Sequence, residues 1–320
     1  MTSVGVALVG AGPWGTTLGR AVTRVPSADL RWICELDPDR RSRASAIHPL
    51  ARLTDDLGEV LDDPLVVAAL VAVDSPRHHA VGRQVLEADR HLLVEKPMAL
   101  STADATDLHK TAEARNRVLA VGHLLLHHPA VKRTRELVTD GVVGKVLWLE
   151  AARLAGPGHR DVSAWWTLAP HDVSLALYLF DATPTHVTAV GGPGRGAGAE
   201  SVVWATLHFA DGRLAHVHAA RQAGRKQRGF SIVGTQRALT FDELAAEDAL
   251  QVHDPAGARQ VESLPVAPVD ALTAQCRSFV AGVASGDTTA GNSAHALTVV
   301  RVLEAGARSI AAGGAPIDVV

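Results

Sequence analysis

The sequence of 320 residues predicts an α/β fold: an N-terminal doubly wound parallel sheet, then a C-terminal α+β domain with a mostly antiparallel open sheet. Two patterns support this prediction. The first half alternates short apolar strands with helical segments, which is typical of βαβ units. The second half has longer strands in which apolar and polar residues alternate, as in a sheet with one buried face. We therefore predict two domains, residues 1–122 and 123–320.

The first predicted strand, Val4–Val9, leads into Gly10-Ala11-Gly12-Pro13-Trp14-Gly15, and a helical segment follows. GxGxxG between a strand and a helix is the setting of a dinucleotide-binding turn. Gly10 permits the tight turn, Gly12 lets the backbone approach a pyrophosphate, and Gly15 lets the helix pack closely on the strand. The helix amino terminus adds free N–H groups and the positive end of a dipole. By itself the pattern also fits a glycine-rich turn that binds nothing.

The second predicted strand, Leu30–Cys34, ends in Glu35-Leu36-Asp37-Pro38. A carboxylate about 20 residues beyond the glycines is placed to accept hydrogen bonds from the ribose of the adenosine. Since it would repel a 2′-phosphate, we predict NAD rather than NADP, with Glu35 reading the ribose and Asp37 beside it. Three arginines downstream are the alternative: they could hold a 2′-phosphate, or form the exposed face of the next helix. They are Arg40, Arg41 and Arg43.

Three more strands are predicted in the first domain, at Leu65–Val73, His91–Val94 and Val118–Val121. Helices are predicted between them at His78–Ala88 and Ser101–Arg115, the second with Ser101 as its N-cap. Ligands of doubly wound sheets bind at the carboxyl ends of the strands. Side chains that follow these ends are therefore predicted to face the cofactor, namely Asp74, Pro76, His79, Glu95 and Lys96.

The second half is predicted to contain long strands, a hairpin turn at Asp211-Gly212, and three helices. The strands are Lys145–Leu154, His186–Gly191, Ser201–Phe209, Arg213–Ala220 and Arg228–Phe241. The helices are Ser163–Phe180, Val269–Ala284 and Ser293–Ala311. One face of this sheet should pack on helices, and a partner subunit could cover the other.

Composition excludes several classes of function. The formal net charge is −3, with no extended basic face, so nucleic acid is not an expected partner. No apolar run is long enough to span a bilayer, and we expect no membrane association. The two cysteines are far apart, which fits a reduced cytoplasm and disfavours a cysteine zinc site. The 16 histidines are scattered or paired without carboxylates at ligand spacing, so no metal is expected.

Seven segments together resemble the Gfo/Idh/MocA oxidoreductase family. They are GAGPWG at Gly10, CELDP at Cys34, DSPRHHA at Asp74, HLLVEKPMALS at His91, VGHLLLHHPAV at Val121, DGVVGKV at Asp140 and LAPHDVSL at Leu168. The EKP motif after an apolar strand is specific, whereas GxGxxG alone is not. The resemblance implies a Rossmann domain followed by an α/β domain whose open sheet often forms a homodimer or homotetramer interface.

The resemblance also implies catalytic roles. Lys96 matches the active-site lysine of the EKP motif, and its ammonium would stabilise charge that develops on the reacting oxygen. Glu95 would orient Lys96 or contact the nicotinamide side. The Lys-Pro peptide of this motif is typically cis, so we expect a cis bond between Lys96 and Pro97.

His171 is the second catalytic residue that the resemblance implies. Many relatives have Asp four residues before this His, where the present chain has Thr167. Positions four apart share one face of a helix, so Thr167 could still hydrogen-bond there, whereas Asp172 should point elsewhere. Histidine suits proton transfer because its ordinary pKa lies near working pH. The alternative is a histidine with a purely structural role.

Phrases around Trp165, Gly156 and Gly224 look like the branch of the family that acts at the 3-position of nucleotide sugars. This implies a sugar or nucleotide-sugar substrate. Lys226 and Arg228 could hold a diphosphate or a uronate, or form a solvated strand edge. The other residues implied at the substrate are His123, His127, Arg160 and Trp166. Two other functions remain open: a tailoring enzyme for a deoxysugar, aminosugar or cyclitol, and a non-catalytic NAD sensor or scaffold.

Overall fold

A computed structural model describes residues 3–156, 162–194, 199–247, 249–254 and 261–320. The chain divides into two compact units. The first comprises Met1–Leu124 and Asp270–Val300, and the second comprises Leu125–Val269 and Arg301–Val320. The functional division predicted at residue 122 stays a prediction. By packing, however, Asp270–Val300 belongs with the first unit.

The first unit is built on a six-stranded parallel sheet with the order β3-β2-β1-β4-β5-β6. Its strands are β1 (Val4–Val9), β2 (Ala28–Cys34), β3 (Arg52–Thr54), β4 (Ala68–Val71), β5 (His91–Val94) and β6 (Leu119–Val121). Its helices are α1 (Pro13–Val22), α2 (Pro38–Ile47), α3 (Leu57–Asp62), α4 (His78–Glu87), α5 (Thr102–Ala114) and α8 (Ala271–Ser285). The chain order reverses between β1 and β4, which is where such sheets bind ligands.

Buried strands and capped helices explain this unit locally. All six residues of β1 and all four of β4 are buried, as expected when helices cover both faces of a parallel sheet. The predicted N-cap is confirmed, because the Ser101 hydroxyl accepts a hydrogen bond from the Asp104 N–H at 3.1 Å. Helix α8 joins the unit because Leu272, Cys276 and Phe279 pack into the same core as α1.

The second unit is built on a nine-stranded sheet with the order β14-β13-β12-β11-β7-β10-β9-β8-β15. Its central pair, β7 and β10, is parallel, and the other pairs are antiparallel. The strands are β7 (Val146–Leu154), β8 (His186–Gly192), β9 (Val202–His208), β10 (Leu214–Ala220), β11 (Gln227–Gly234), β12 (Ala238–Asp242), β13 (Leu250–His253), β14 (Val261–Leu264) and β15 (Ile317–Asp318). Helices α6 (Pro129–Thr139) and α7 (Ala164–Phe180) belong here, and α9 (Ser293–Ala311) is divided between the units at Val300.

The first turn of α7 is fixed against α9. Trp165 is fully buried, and its indole N–H donates to the Leu303 carbonyl at 2.7 Å. Gly306 packs flat against the indole, and a Cβ there would lie 2.3 Å from a ring carbon. Trp165 is therefore a core residue, whereas Trp166 is half-buried.

Several predicted bounds differ from the structure. The apolar run Leu65–Val73 contains only the four-residue strand β4, and Leu65 is 58% exposed. The single strand predicted at Arg228–Phe241 is two strands, because the Gly234 N–H bonds to the Arg237 carbonyl and closes a tight turn. The pattern also missed β3, α3 and α6 and the strands β13, β14 and β15, and all of these except α6 are short. The confirmed fold class does not depend on these elements.

No helix of the described part of the chain is both long and apolar enough to cross a bilayer. Within the same residues, no group of three or more His, Cys, Asp or Glu side chains is arranged to hold a metal ion.

Candidate active site

The glycine turn after β1 has the geometry that its sequence predicts. Gly10 has a φ of +91°, in the left-handed region that favours glycine. A Cβ on Gly15 would lie 2.0 Å from the Gly10 carbonyl oxygen, so the helix can follow this closely only because residue 15 has no side chain. A Cβ on Gly12 would meet only the end of the flexible Arg40 side chain, at 3.7 Å. The backbone at Gly12 is thus open to approach.

Glu35 lies against this turn rather than in solvent. One carboxylate oxygen accepts a hydrogen bond from the Ala11 N–H at 2.7 Å, and the other accepts one from the Asp37 N–H at 3.0 Å. Each oxygen has a further lone pair, so an additional donor such as a ribose hydroxyl could still bind. Asp37 has a structural task, because its side chain caps α2 by accepting from the Arg40 N–H at 2.9 Å.

Lys96 stands at the carboxyl end of β5, and the Lys96–Pro97 peptide is cis, which confirms the expectation from the EKP motif. Glu95 is buried beside it. The Glu95 carboxyl accepts from the Lys96 N–H at 3.2 Å, and the Trp14 indole of the glycine turn interacts with the same carboxyl group. Burial raises the pKa of Glu95, and the Trp14 hydrogen bond and the Lys96 charge oppose the shift. Glu95 therefore links the glycine turn to the strand end that bears Lys96.

Gly122, directly after β6, leaves room for this carboxyl group. A Cβ at position 122 would lie 2.8 Å from a Glu95 carboxylate oxygen, so Gly122→Ala should push Glu95 away from Trp14 and Lys96. We expect the variant to fold and to lose activity, measured as kcat together with thermal unfolding. Gly224→Ala is the control for glycine loss in a loop, since open space surrounds that position and its φ lies outside the left-handed region. Full activity in Gly122→Ala would show that the Glu95 link is dispensable.

Two adjacent histidines at the start of α4 have different tasks. The His78 ring lies between the Pro97 carbonyl, 2.7 Å from Nδ1, and the Val73 carbonyl, 3.0 Å from Nε2. Burial lowers the pKa of His78, so the neutral ring can donate to only one carbonyl at a time. His79 instead faces α5, with Nε2 2.8 Å from Asp107. His79 is therefore not at the strand ends as predicted. His78 lies there instead, and nothing in the sequence distinguishes it from His79.

The second unit brings Thr167 and His171 onto one face of α7. The Thr167 hydroxyl donates to the Ser163 carbonyl and accepts from the Arg221 Nε–H at 3.0 Å. Arg221 directly follows β10 and was not selected from the sequence. Four residues before His171, this chain therefore has a hydroxyl in contact with a guanidinium.

Four charged side chains of alternating sign form connected ion pairs next to α7. Buried Arg153 on β7 contacts Asp172 at 3.3 Å and Glu243 at 3.0 Å, and Glu243 also contacts Arg228 at 3.1 Å. Burial raises the pKa of Asp172, against the attraction of Arg153. Burial would also raise the pKa of Glu243, but Arg153 and Arg228 hold it below its usual range. Asp172 thus points away from the face of α7 that bears His171, as predicted. Arg228, which is predicted either to bind substrate or to form a solvated strand edge, forms an ion pair with Glu243.

The other predicted side chains are placed as follows. His123 is buried in the first unit, with its ring edge-to-face with His295 at 5.8 Å between centroids. His127 is half-buried in the second unit, where burial and nearby Lys132 lower its pKa to about 4. Asp74 and Pro76 are exposed after β4, and Lys226 is exposed after β10. Arg160 lies outside the described residues.

Comparison with known proteins agrees with this geometry. A family model described as "Oxidoreductase family, NAD-binding Rossmann fold" matches residues 4–123. A second model, described as the GFO/IDH/MocA C-terminal domain, matches residues 131–240.

Three similar proteins are informative. UDP-N-acetylglucosamine 3-dehydrogenase of Acidithiobacillus ferrooxidans is 31% identical over 231 residues, which is 69% of this chain and 71% of the relative. The structure of GenD2 from gentamicin A biosynthesis in complex with NAD matches with a TM-score of 0.86 and 26% identity, and covers 99% of this chain and 97% of that one. Levoglucosan dehydrogenase in complex with NADH and levoglucosan shares the fold, with a TM-score of 0.89, 21% identity, and coverage of 99% and 100%.

Proposed function

Because the chain belongs to the Gfo/Idh/MocA oxidoreductase family, we propose that it transfers hydride between NAD and carbon 3 of a nucleotide-linked sugar. The family supports the coarser statement, an NAD-binding sugar oxidoreductase. The 31% identity with UDP-N-acetylglucosamine 3-dehydrogenase supports the more specific proposal that the substrate is a nucleotide-linked sugar. Assembly into dimers or tetramers is expected from the family.

The residues at the first-unit strand ends fit NAD. The turn from Gly10 to Gly15 leaves the Gly12 backbone open to a pyrophosphate at the start of α1, and Glu35 retains acceptor capacity for a ribose diol. The chemistry that NAD supplies when bound is acceptance or return of hydride at its nicotinamide ring.

Two side chains of this protein would do the remaining chemistry. The Lys96 ammonium would stabilise negative charge on the reacting sugar oxygen, and Glu95 would hold the strand end in place. His171 would remove the hydroxyl proton during oxidation and return it during reduction. Thr167 would support the His171 face of α7 through its contacts with Ser163 and Arg221.

The likeness to GenD2 favours a second candidate, a tailoring oxidoreductase for an aminosugar or cyclitol. A thermal-shift and absorbance screen separates the two. Purified protein with NAD or NADH is mixed with UDP-, dTDP- and GDP-sugars and, separately, with free aminosugars and cyclitols. Stabilisation and turnover with a nucleotide sugar support the proposed function. A response only to free sugars or cyclitols would replace it with the second candidate.

Lys96→Ala should lower kcat by about 10²–10³-fold, the usual cost of removing one group that stabilises developing oxyanion charge. Binding of NADH, followed by its fluorescence, should persist because the glycine turn is unchanged. Lys110→Ala on the exposed side of α5 is the matched control and should turn over normally. An unchanged kcat in Lys96→Ala would remove Lys96 from the proposed mechanism.

Glu35 should make the protein bind NADH more tightly than NADPH, since its carboxylate would repel a 2′-phosphate. Glu35→Gln keeps an oxygen that can accept from the Ala11 N–H, so the turn should persist while the discrimination shrinks. Titration of both nucleotides by fluorescence gives the two dissociation constants. Tighter NADPH binding by the wild type would refute this role and point to Arg40, whose guanidinium reaches the turn at Gly12.

A further inference from the structure

His78 links the carboxyl ends of two neighbouring strands of the first unit. Its ring lies between the carbonyl of Val73, just after β4, and the carbonyl of Pro97, just after β5. The residue is 1% exposed, and among the described residues no backbone N–H donates to either carbonyl. The imidazole is therefore the polar contact through which these two strand ends are connected.

Close packing of α4 on β5 brings His78 within reach of both carbonyls. Gly82 lies one turn further along the helix, and a Cβ there would lie 3.0 Å from a Leu92 methyl carbon and 3.3 Å from one of Leu108. Residues four apart share one face of a helix, so His78 and Gly82 both face the sheet. The helix can approach this closely because residue 82 has no side chain.

The two contacts of the His78 ring are not equivalent. The Pro97 carbonyl lies 2.7 Å from Nδ1 in a buried contact, and the Val73 carbonyl lies 3.0 Å from Nε2 in a partly buried one. Burial lowers the pKa of His78, and a neutral ring has one N–H, whereas a carbonyl can only accept. The shorter and more buried contact assigns this N–H to Nδ1 and to Pro97.

The hydrogen bond to Pro97 acts directly beside Lys96. Proline has no backbone N–H, so the carbonyl is the one polar group of this peptide unit that can be held. On the other side of Lys96, the Glu95 N–H donates to the Val71 carbonyl at 2.9 Å. The backbone that bears Lys96 is thus fixed by one hydrogen bond before it and one after it.

We propose that His78 is a positioning residue, which sets the place of the Lys96 ammonium through the hydrogen bond from Nδ1 to the Pro97 carbonyl. The inference rests on the role of Lys96 in the proposed function. A displacement of about 1 Å in a reacting group can cost about 100-fold in rate, so loss of this bond should lower kcat although His78 does not touch the reactants.

Two amide variants separate the contacts of the ring. Asparagine places its side-chain N–H near the position of Nδ1 and can still donate to Pro97, whereas glutamine places it near Nε2 and can donate only to Val73. With NAD and UDP-N-acetylglucosamine, His78→Gln and His78→Leu should lower kcat by about 10–100-fold with little change in KM. His78→Asn should keep kcat close to that of the wild type.

The position of Lys96 can also be followed without turnover. The chain has five lysines, so a protein with lysine isotopically labelled at its ε-carbon gives a simple NMR spectrum, and Lys96→Ala identifies the Lys96 signal by its loss. His78→Gln and His78→Leu should shift this signal, and His78→Asn should not. If UDP-N-acetylglucosamine does not react, the proposed substrate fails, and these spectra decide the role of His78 by themselves.

His91→Leu is the control for loss of a histidine that bonds to the backbone. The His91 Nδ1 accepts from the Val118 N–H at 2.9 Å at the opposite end of β5, so this variant should unfold at lower temperature but keep kcat and the Lys96 signal. Equal loss of kcat in His78→Asn and His78→Gln would overturn the proposal. So would an unshifted Lys96 signal in His78→Gln, or a kcat that follows thermal stability across all four variants.

Discussion

Replacement of His171 by alanine is expected to lower kcat by about 10²–10⁴-fold, the range in which a positioned general acid or base contributes. His171 is half-buried on α7, one turn beyond Thr167, and its imidazole would move the hydroxyl proton. NADH binding should be retained, because the glycine turn and Glu35 belong to the first unit. The pH dependence of kcat should lose the limb that this imidazole controls.

His253→Ala is a suitable control, since that ring lies on β13 and bonds to Thr240 within the sheet. Its kcat should stay close to that of the wild type. If His171→Ala keeps the wild-type kcat and pH profile, His171 has only a structural role, and the proton must move through another group.

Replacement of Arg153 by methionine should destabilise the protein by about 3–5 kcal/mol, the usual cost of removing one partner of a buried ion pair. The variant would leave the buried Asp172 without its cation and Glu243 with Arg228 alone. Urea unfolding of wild type and variant measures the difference. The double variant Arg153→Met/Asp172→Leu should recover much of the loss, because it removes the uncompensated charge.

The penalty should depend on pH. Burial already raises the folded pKa of Asp172 above its unfolded value, and loss of Arg153 would raise it further. The Asp172 carboxyl group is neutral in both folded proteins at low pH, so the penalty is smallest in acid. The penalty grows as pH rises from the folded pKa of Asp172 in the wild type toward its higher folded pKa in the variant. A destabilisation that is independent of pH would indicate lost packing rather than an uncompensated charge.

Much of the first unit could be predicted because its signals are local. The glycine turn, the Ser101 cap and the run into Glu95 each depend on neighbouring residues, and the structure places them as expected. His79 was misplaced because two adjacent histidines at a helix start cannot be ranked without knowing which one faces the strand ends.

The second unit shows what sequence patterns could not supply. Arg153 meets Glu243 across 90 residues, and Arg221 meets Thr167 across 54. Such contacts depend on strand register, and periodicity alone does not fix which strands are neighbours. Arg228 stands out in the sequence because it belongs to a basic cluster. Its partner Glu243 follows β12, and the sequence pattern merges β11 and β12 into one strand, so the ion pair could not be predicted.

The two outer strands of the nine-stranded sheet have a consequence for solubility. β15 contributes only two residues, and β14 contributes four, among them the exposed Glu262. An unpaired strand edge is a template for association with other chains, and short or charged edges limit that association. The broadest sheet of the protein thus offers little backbone on which an aggregate could grow from either side.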